Sequence, residues 1–307
     1  MKAKFIITLV CLSNLIYGQQ DPMYSMYIFD KMLINPAFAG SSNWAVGTAK
    51  LRDQFSGMNG HPSTQTINFH APIQKKHMGV GVKLVNDKIG ITNNLNVAVL
   101  FSYHLNFAGG KLSMGLEPGI YSRKINYPKL VLSSQGDNSI PKVTQSSVIP
   151  DLSYGFYYQR KQMYVGVSQY HLLGTNFKYD VTNQPQSRLY AHAYLIVGNV
   201  FSVSKNWSVE PSILVKHQGA AKVQLDLNTT LYYDDRFGAG IQYRTGDAVA
   251  ALLKVNITEN LKIAYAYDFT ISKLATYSSG AHELIISYGI KLPPPPSKKE
   301  IHPRYYF

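Results

Sequence analysis

Charged residues of both signs stand singly in stretches that otherwise alternate apolar and polar: Lys83, Glu117, Glu210, Lys216, Asp226, Lys254, Lys262, Asp268 and Glu283. Facing one enclosed space, they would pair with each other or with an inserted segment, whereas a conducting pore is commonly constricted by charges of one sign. The chemistry they suggest is ion pairing in a plugged interior, with an open pore as the alternative. Catalysis finds no comparable pattern. The nine histidines are dispersed, without the His-Glu-x-x-His or His/Cys spacing of a metal site. Gly79, Gly81 and Gly90 fall at strand period with no helix behind them, which argues against a phosphate loop. Serine, histidine and acidic residues are abundant but in no recognisable arrangement. The sequence assigns no catalytic residue, no metal ligand and no cofactor.

An interior of that kind needs walls, and alternation supplies them. Leu95, Val97, Val99, Phe101, Tyr103, Leu105 and Phe107 share one face of a strand, opposite Asn94, Asn96, Ser102, His104 and Asn106. Similar rows run through 225–233, 249–257, 261–269 and 284–290. Charges on one face and greasy groups on the other mean two solvents, which a soluble sandwich and a membrane barrel both offer. Strands are predicted near 44–51, 64–71, 77–87, 93–106, 111–126, 149–159, 162–169, 188–203, 207–218, 223–233, 236–244, 248–257, 261–269 and 282–292. That makes about 14, an even number suited to an outer-membrane barrel. Pro118 and Pro211 fall mid-strand, where a missing N–H predicts a bulge or distorted register.

The connections separate the two architectures. Short ones (106–110, 160–161, 204–206, 234–235, 258–260) mostly alternate with long ones (127–148, 170–187, 270–281), although 219–222 and 245–247 are short as well. An up-and-down barrel sorts its turns and loops in this way, and a Greek-key sandwich has no reason to. The fold expected is therefore all-β, a transmembrane antiparallel up-and-down outer-membrane β-barrel. An even strand count returns the chain to its starting side, so both termini are expected in the periplasm.

The ends carry their own signals. Lys2 and Lys4, an apolar run from Phe5 to Ile16 and the small Gly18 read as a signal peptide over 1–18. The single cysteine, Cys11, falls within it. Residues 19–43 form an N-terminal periplasmic or plug segment. In it Asp21 and Pro22 resemble a helix start, followed by Tyr24, Tyr27, Ile28 and Lys31 at helical spacing, with Asn35 and Pro36 as the stop. The barrel would span 44–292, and a Pro-rich tail 293–307 would serve as a docking segment or a disordered end. Every later apolar run is interrupted before reaching helical spanning length. The formal charge is +13, but the basic residues are dispersed, which argues against nucleic acid and fits lipopolysaccharide headgroups or an acidic protein partner better.

One region is more specific. Pro22, Tyr24, Ser25 and Tyr27, then Asn35, Pro36, Ala37, Phe38, Ala39 and Gly40, then Arg52, Gln54, Phe55, Gly57, Gly60 and Pro62 resemble the opening of the PorP/SprF family of Bacteroidetes outer-membrane proteins. Phe55 stands where tryptophan is commoner. The resemblance implies a non-enzymatic role in type IX secretion, supporting export or surface anchoring of a large adhesin with a C-terminal sorting domain, of the gliding-motility kind. It implies three partners: the cargo's C-terminal domain, other secretion components, and outer-membrane lipid. Candidate partner-binding residues are Asn35, Pro36, Phe38, Arg52, Gln54 and Phe55. A passive or hydrophobic-substrate channel is the competing reading; a lipid-modifying enzyme is a third, to which no residue points.

Overall fold

A computed structural model of the 307-residue chain describes residues 21–130, 141–179, 187–219 and 221–293. The signal peptide read at 1–18, with Cys11, and the tail from residue 294 onward lie outside the described residues. The strands are β1 (Trp44–Asp53), β2 (Ser63–Ile73), β3 (Met78–Ile89), β4 (Thr92–Phe107), β5 (Gly110–Ile125), β6 (Gln145–Arg160) and β7 (Met163–Tyr170). They continue as β8 (His192–Asn199, resuming at Phe201–Ser202), β9 (Trp207–Gln218), β10 (Gln224–Tyr233), β11 (Phe237–Arg244), β12 (Ala248–Asn256), β13 (Leu261–Thr270) and β14 (Ala281–Lys291).

Each strand pairs antiparallel with its sequence neighbours, and β14 pairs with β1 from Trp44 opposite Lys291 to Asp53 opposite His282. The sheet closes into a 14-stranded barrel with no unpaired edge. Among the described residues no helix is long and apolar enough to cross a membrane. The crossing is made by strands.

Alternation decides which way each side chain points. On β4 Asn94, Asn96, Ser102 and His104 are buried inside, while Leu95, Val97, Val99, Phe101 and Tyr103 stand exposed on the outer surface, and Asn106, past the last buried position, is exposed as well. Leu51, Ile67, Phe69, Val82, Leu116 and Ile120 continue that apolar band on neighbouring strands. In water such a surface would be untenable, and in a bilayer it is the contact with acyl chains. At the end carrying the short turns, the band closes in an aromatic rim that includes Phe107, Trp207, Tyr233, Phe237 and Tyr288. Val99→Arg, near the middle of the longest strands, is expected to cost about 2–4 kcal/mol at the bilayer midplane. The midpoint of urea unfolding in lipid vesicles checks this; an unchanged midpoint would place Val99 away from lipid.

Two expectations need correction. Pro118 and Pro211 cause no bulge: β4 and β5 lose pairing only between Ala98–Gly119 and Phe101–Leu116, and the register is the same on both sides. The same holds for β9 and β8 on either side of Pro211, from Ser212 opposite Gly198 to Val209 opposite Phe201. The missing N–H costs a local ladder contact, and the long strands around it hold the alignment.

Nor does the N-terminal segment form a helix from Pro22. It makes three separate 3-10 turns, Met26–Ile28, Lys31–Leu33 and Pro36–Phe38. The Asp21 carboxylate is occupied by His171 rather than capping a first turn, and the N–H groups of Ser25 and Met26 donate to Glu283 on the wall (2.8 and 3.2 Å). Side-chain partners on the barrel replace the intrahelical bonds that a helix would have made.

Residues 21–40 lie inside the barrel, and 41–43 leave it at the short-turn end. Asp21 meets His171 and His192 on the side of the long loops; Ser41 accepts from Lys111 and Asn43 from the N–H of Leu292 at the short-turn end. The connection after β7 also folds inward. Phe177 and Leu189 pack on Tyr121 and Ile149, and the Arg123 guanidinium lies 4.1 Å from the Phe177 ring.

Candidate functional site

The lumen is the site, and the threaded segment runs through it. Met26, Tyr27, Ile28, Leu33, Ile34 and Ala37 are buried against wall residues that include Tyr157, Tyr164, Leu214, Ala250, Leu252, Ala266 and Ile285. Small inward residues on β12 and β13 leave the space that the segment occupies. Apolar burial of this kind contributes about 1.5–3 kcal/mol for each large side chain.

Around this contact lies an ionic network. Arg52 Nη1 donates to Glu283 Oε2 (2.8 Å) and its Nη2 to Asp268 Oδ2 (2.7 Å), while Lys50 ion-pairs with Glu283 (3.2 Å). The Ser25 hydroxyl donates to Asp268 (2.7 Å), tying the segment to the wall. Arg244 joins Asp226 (3.1 Å), approaches Asp268 and Asp247 (both 3.6 Å), and donates to the Tyr24 carbonyl (3.0 Å). Further round, Lys83 pairs with Glu117 (2.6 Å), and Glu210 takes Lys31 (3.4 Å) and the hydroxyls of Tyr164 and Tyr232 (2.8 Å each). Charges this deeply buried persist because each lies against an opposite charge.

Asn35 to Gly40 form the lock at the other end of the segment. The Asn35 amide donates to the carbonyls of Phe156 (2.9 Å) and Val167 (3.3 Å), and its oxygen accepts from the Ala37 N–H (2.9 Å). Pro36 opens the turn, and the Phe38 ring meets Tyr157 edge-on at 5.6 Å. Ser102 donates to the Ala39 carbonyl (2.6 Å), and the Gly40 N–H to His70 (3.1 Å). The wall has glycines where the lock touches it: a Cβ on Gly115 would collide with the Ala37 and Pro36 backbone, and one on Gly79 with the Ala39 carbonyl. Gly115→Val should therefore eject the lock while leaving β5 paired. Faster protease cleavage within 21–43, in a barrel that stays heat-modifiable, is the expected result; unchanged cleavage would show that the contact is not needed.

Of the residues singled out in the sequence, Asn35, Pro36 and Arg52 are buried in the lumen, Phe38 and Phe55 are half-buried, and Gln54 is buried beneath the loop after β1. Lys83, Glu117, Glu210, Lys216, Asp226, Asp268 and Glu283 all face inward and are buried. Lys254 is partly covered, 5.7 Å from the Phe29 ring, and Lys262 is exposed at the short-turn end. Sequence reasoning missed Arg244, named Ser25 only as a motif residue without its bond to Asp268, and missed the cluster of Asp21, Asp151, His171 and His192.

That cluster borders a small cleft, open to solvent and lined by Tyr24, Lys83, Glu117, Lys216 and Arg244 among others. His171 Nδ1 contacts Asp151 (2.8 Å) and its Nε2 contacts both Asp21 oxygens (2.9 and 3.1 Å). Burial alone would lower the His171 pKa, but the two carboxylates outweigh it and hold it up to about 10. For Asp21, burial pulls upward, and the neighbouring His171, His192 and Lys216 bring it well below the usual carboxylate range.

A family model described as type IX secretion system membrane protein PorP/SprF matches residues 16–288. No curated protein matches the chain. Among solved structures, the toluene transporter TbuX of Ralstonia pickettii is 11% identical with a TM-score of 0.51, covering 85% of this chain and 93% of that one. A FadL homologue of Pseudomonas aeruginosa is 11% identical (TM-score 0.48; 89% and 94% covered), and Omp33 of Acinetobacter baumannii 9% (0.45; 80% and 97%). The likeness to TbuX is one of barrel fold alone.

Proposed function

We propose, from the premise that this chain belongs to the PorP/SprF family of type IX secretion system membrane proteins, that it is a non-enzymatic docking barrel of the outer membrane. It supports export or surface anchoring of a large adhesin bearing a C-terminal sorting domain, of the kind used in gliding. The observation that carries this reading is the occupied lumen: a barrel whose interior holds its own residues 24–38 packed against the wall offers surfaces rather than a wide passage. In this reading the short turns face the periplasm and other secretion components, while the long loops face outward.

Phe55, half-buried in the loop that follows β1, is the residue assigned to direct partner contact, and buried Gln54 beside it supports that loop. Asn35, Pro36, Phe38 and Arg52 act indirectly, by fixing the segment beneath that loop. Lipid and lipopolysaccharide are the partners of the outer band. A pull-down from detergent-solubilised outer membrane tests the assignment: a large surface protein and other secretion components should copurify, and a barrel recovered with lipid alone would contradict it.

The cleft beside the segment favours a second reading, a solute channel, since it is open to solvent and already reaches into the barrel. Lys83, Glu117, Lys216, Asp226 and Arg244 on its walls suit a hydrophobic solute poorly. Conductance of the intact chain in a planar bilayer would favour the channel; silence supports the docking barrel.

A further inference from the structure

We propose that Asp21, His171 and His192 form a binding site for a first-row divalent metal ion of the zinc type, which latches the start of the threaded segment to the barrel wall. One ligand atom from each lies within 4.8 Å of the others. His171 Nε2 is 2.9 Å from Asp21 Oδ1, and His192 Nδ1 is 3.4 Å from Asp21 Oδ2. Two ligands bonded at about 2.0 Å in tetrahedral geometry lie about 3.3 Å apart, so these atoms need only small shifts to share an ion.

His192 carries the argument. It is 0% exposed, and neither ring nitrogen makes a well-formed hydrogen bond, Nδ1 having only the long contact with Asp21 (3.4 Å). His171 is satisfied without a metal, because its two nitrogens meet two carboxylates; His192 is not, and burying an unsatisfied imidazole is unfavourable. An ion at the cluster gives it a partner. Asp151, bonded to the far nitrogen of His171 (2.8 Å), stands where the carboxylate behind a ligating histidine commonly stands, orienting the ring and raising its basicity. Two imidazoles and a carboxylate suit zinc, nickel or copper and disfavour magnesium or calcium, which take oxygen ligands. Binding replaces a proton on His171 by the metal and releases that proton to solvent.

The three ligands come from one end of the segment, the loop after β7 and the first residue of β8. The ion would therefore join the segment to the wall at the end opposite the Asn35 lock. The test uses the full barrel in detergent, stripped with chelator, dialysed against zinc and measured by mass spectrometry for metal content. Wild type should retain one more zinc per chain than His192→Gln or Asp21→Asn, and Asp151→Asn should bind it about 10–100-fold more weakly. Heat-modifiable mobility reports that each variant is folded. Equal zinc in wild type and a folded His192→Gln barrel, or retention of magnesium to the same extent, would overturn the site.

Discussion

Replacing Arg52 by alanine is expected to destabilise the barrel by about 3–5 kcal/mol, the usual result of removing one partner from a buried ion pair. Arg52 is 2% exposed, bridges Asp268 and Glu283, and those two carboxylates in turn hold Ser25 and Met26 of the threaded segment. With the guanidinium gone, Lys50 at 3.2 Å and Arg244 at 3.6 Å remain, but neither spans both acids in the same plane. Arg52→Lys should recover little, since one ammonium cannot reproduce the fork. A double change, Arg52→Met with Asp268→Asn, should recover part of the loss, because the penalty comes from uncompensated buried charge and Glu283 keeps Lys50 while Arg244 keeps Asp226. Urea unfolding in vesicles, followed through Trp44 and Trp207, reads all three. A midpoint for Arg52→Ala within error of wild type would mean that the network does not hold the fold.

Removing residues 22–40 is expected to turn a silent barrel into a conducting one. The wall is closed by its own ladder from β14 to β1, so the strands should persist without the segment. The lumen would lose the side chains that fill it and keep its polar lining of Lys50, Arg52, Asn68, Lys83, Glu117 and Asp226. Water and ions would then enter, with no strong charge preference because both signs line the path. Planar-bilayer recordings should change from no steps in the intact chain to resolved openings in the deletion. A deletion barrel that is folded but silent would assign the seal to the inward-folded connection after β7.

The strands were legible because lipid and lumen impose opposite demands on successive residues; β4, β9 and β13 fall within a residue of where alternation places them. The departures have local causes. β6 starts at Gln145 rather than 149, since Ser146 and Ser147 obscure the apolar rhythm, and β8 starts at His192 rather than 188, because Arg188 instead bridges Asn176 within the loop.

The inside was less legible. That charges of both signs would face inward follows from position alone. That Arg52 meets Glu283 depends on the register between β1 and β14, which local sequence does not encode. Tyr24, Tyr27, Ile28 and Lys31 carry helical spacing, yet the narrow lumen and its side-chain partners select short 3-10 turns. The histidine cluster joins residues far apart in the chain, beyond the reach of any spacing rule. The motif residues Asn35 to Gly40, among them Asn35, Pro36 and Phe38 marked in the sequence for partner contact, form the lock between segment and wall, a contact their spacing did not announce.

The docking account is tested most directly by deleting the gene and comparing surface-exposed proteins with small-solute permeability in the same cells. It predicts that one large protein with a C-terminal sorting domain leaves the surface while solute uptake stays unchanged. An intact surface proteome, or uptake that falls while the surface stays the same, would contradict it.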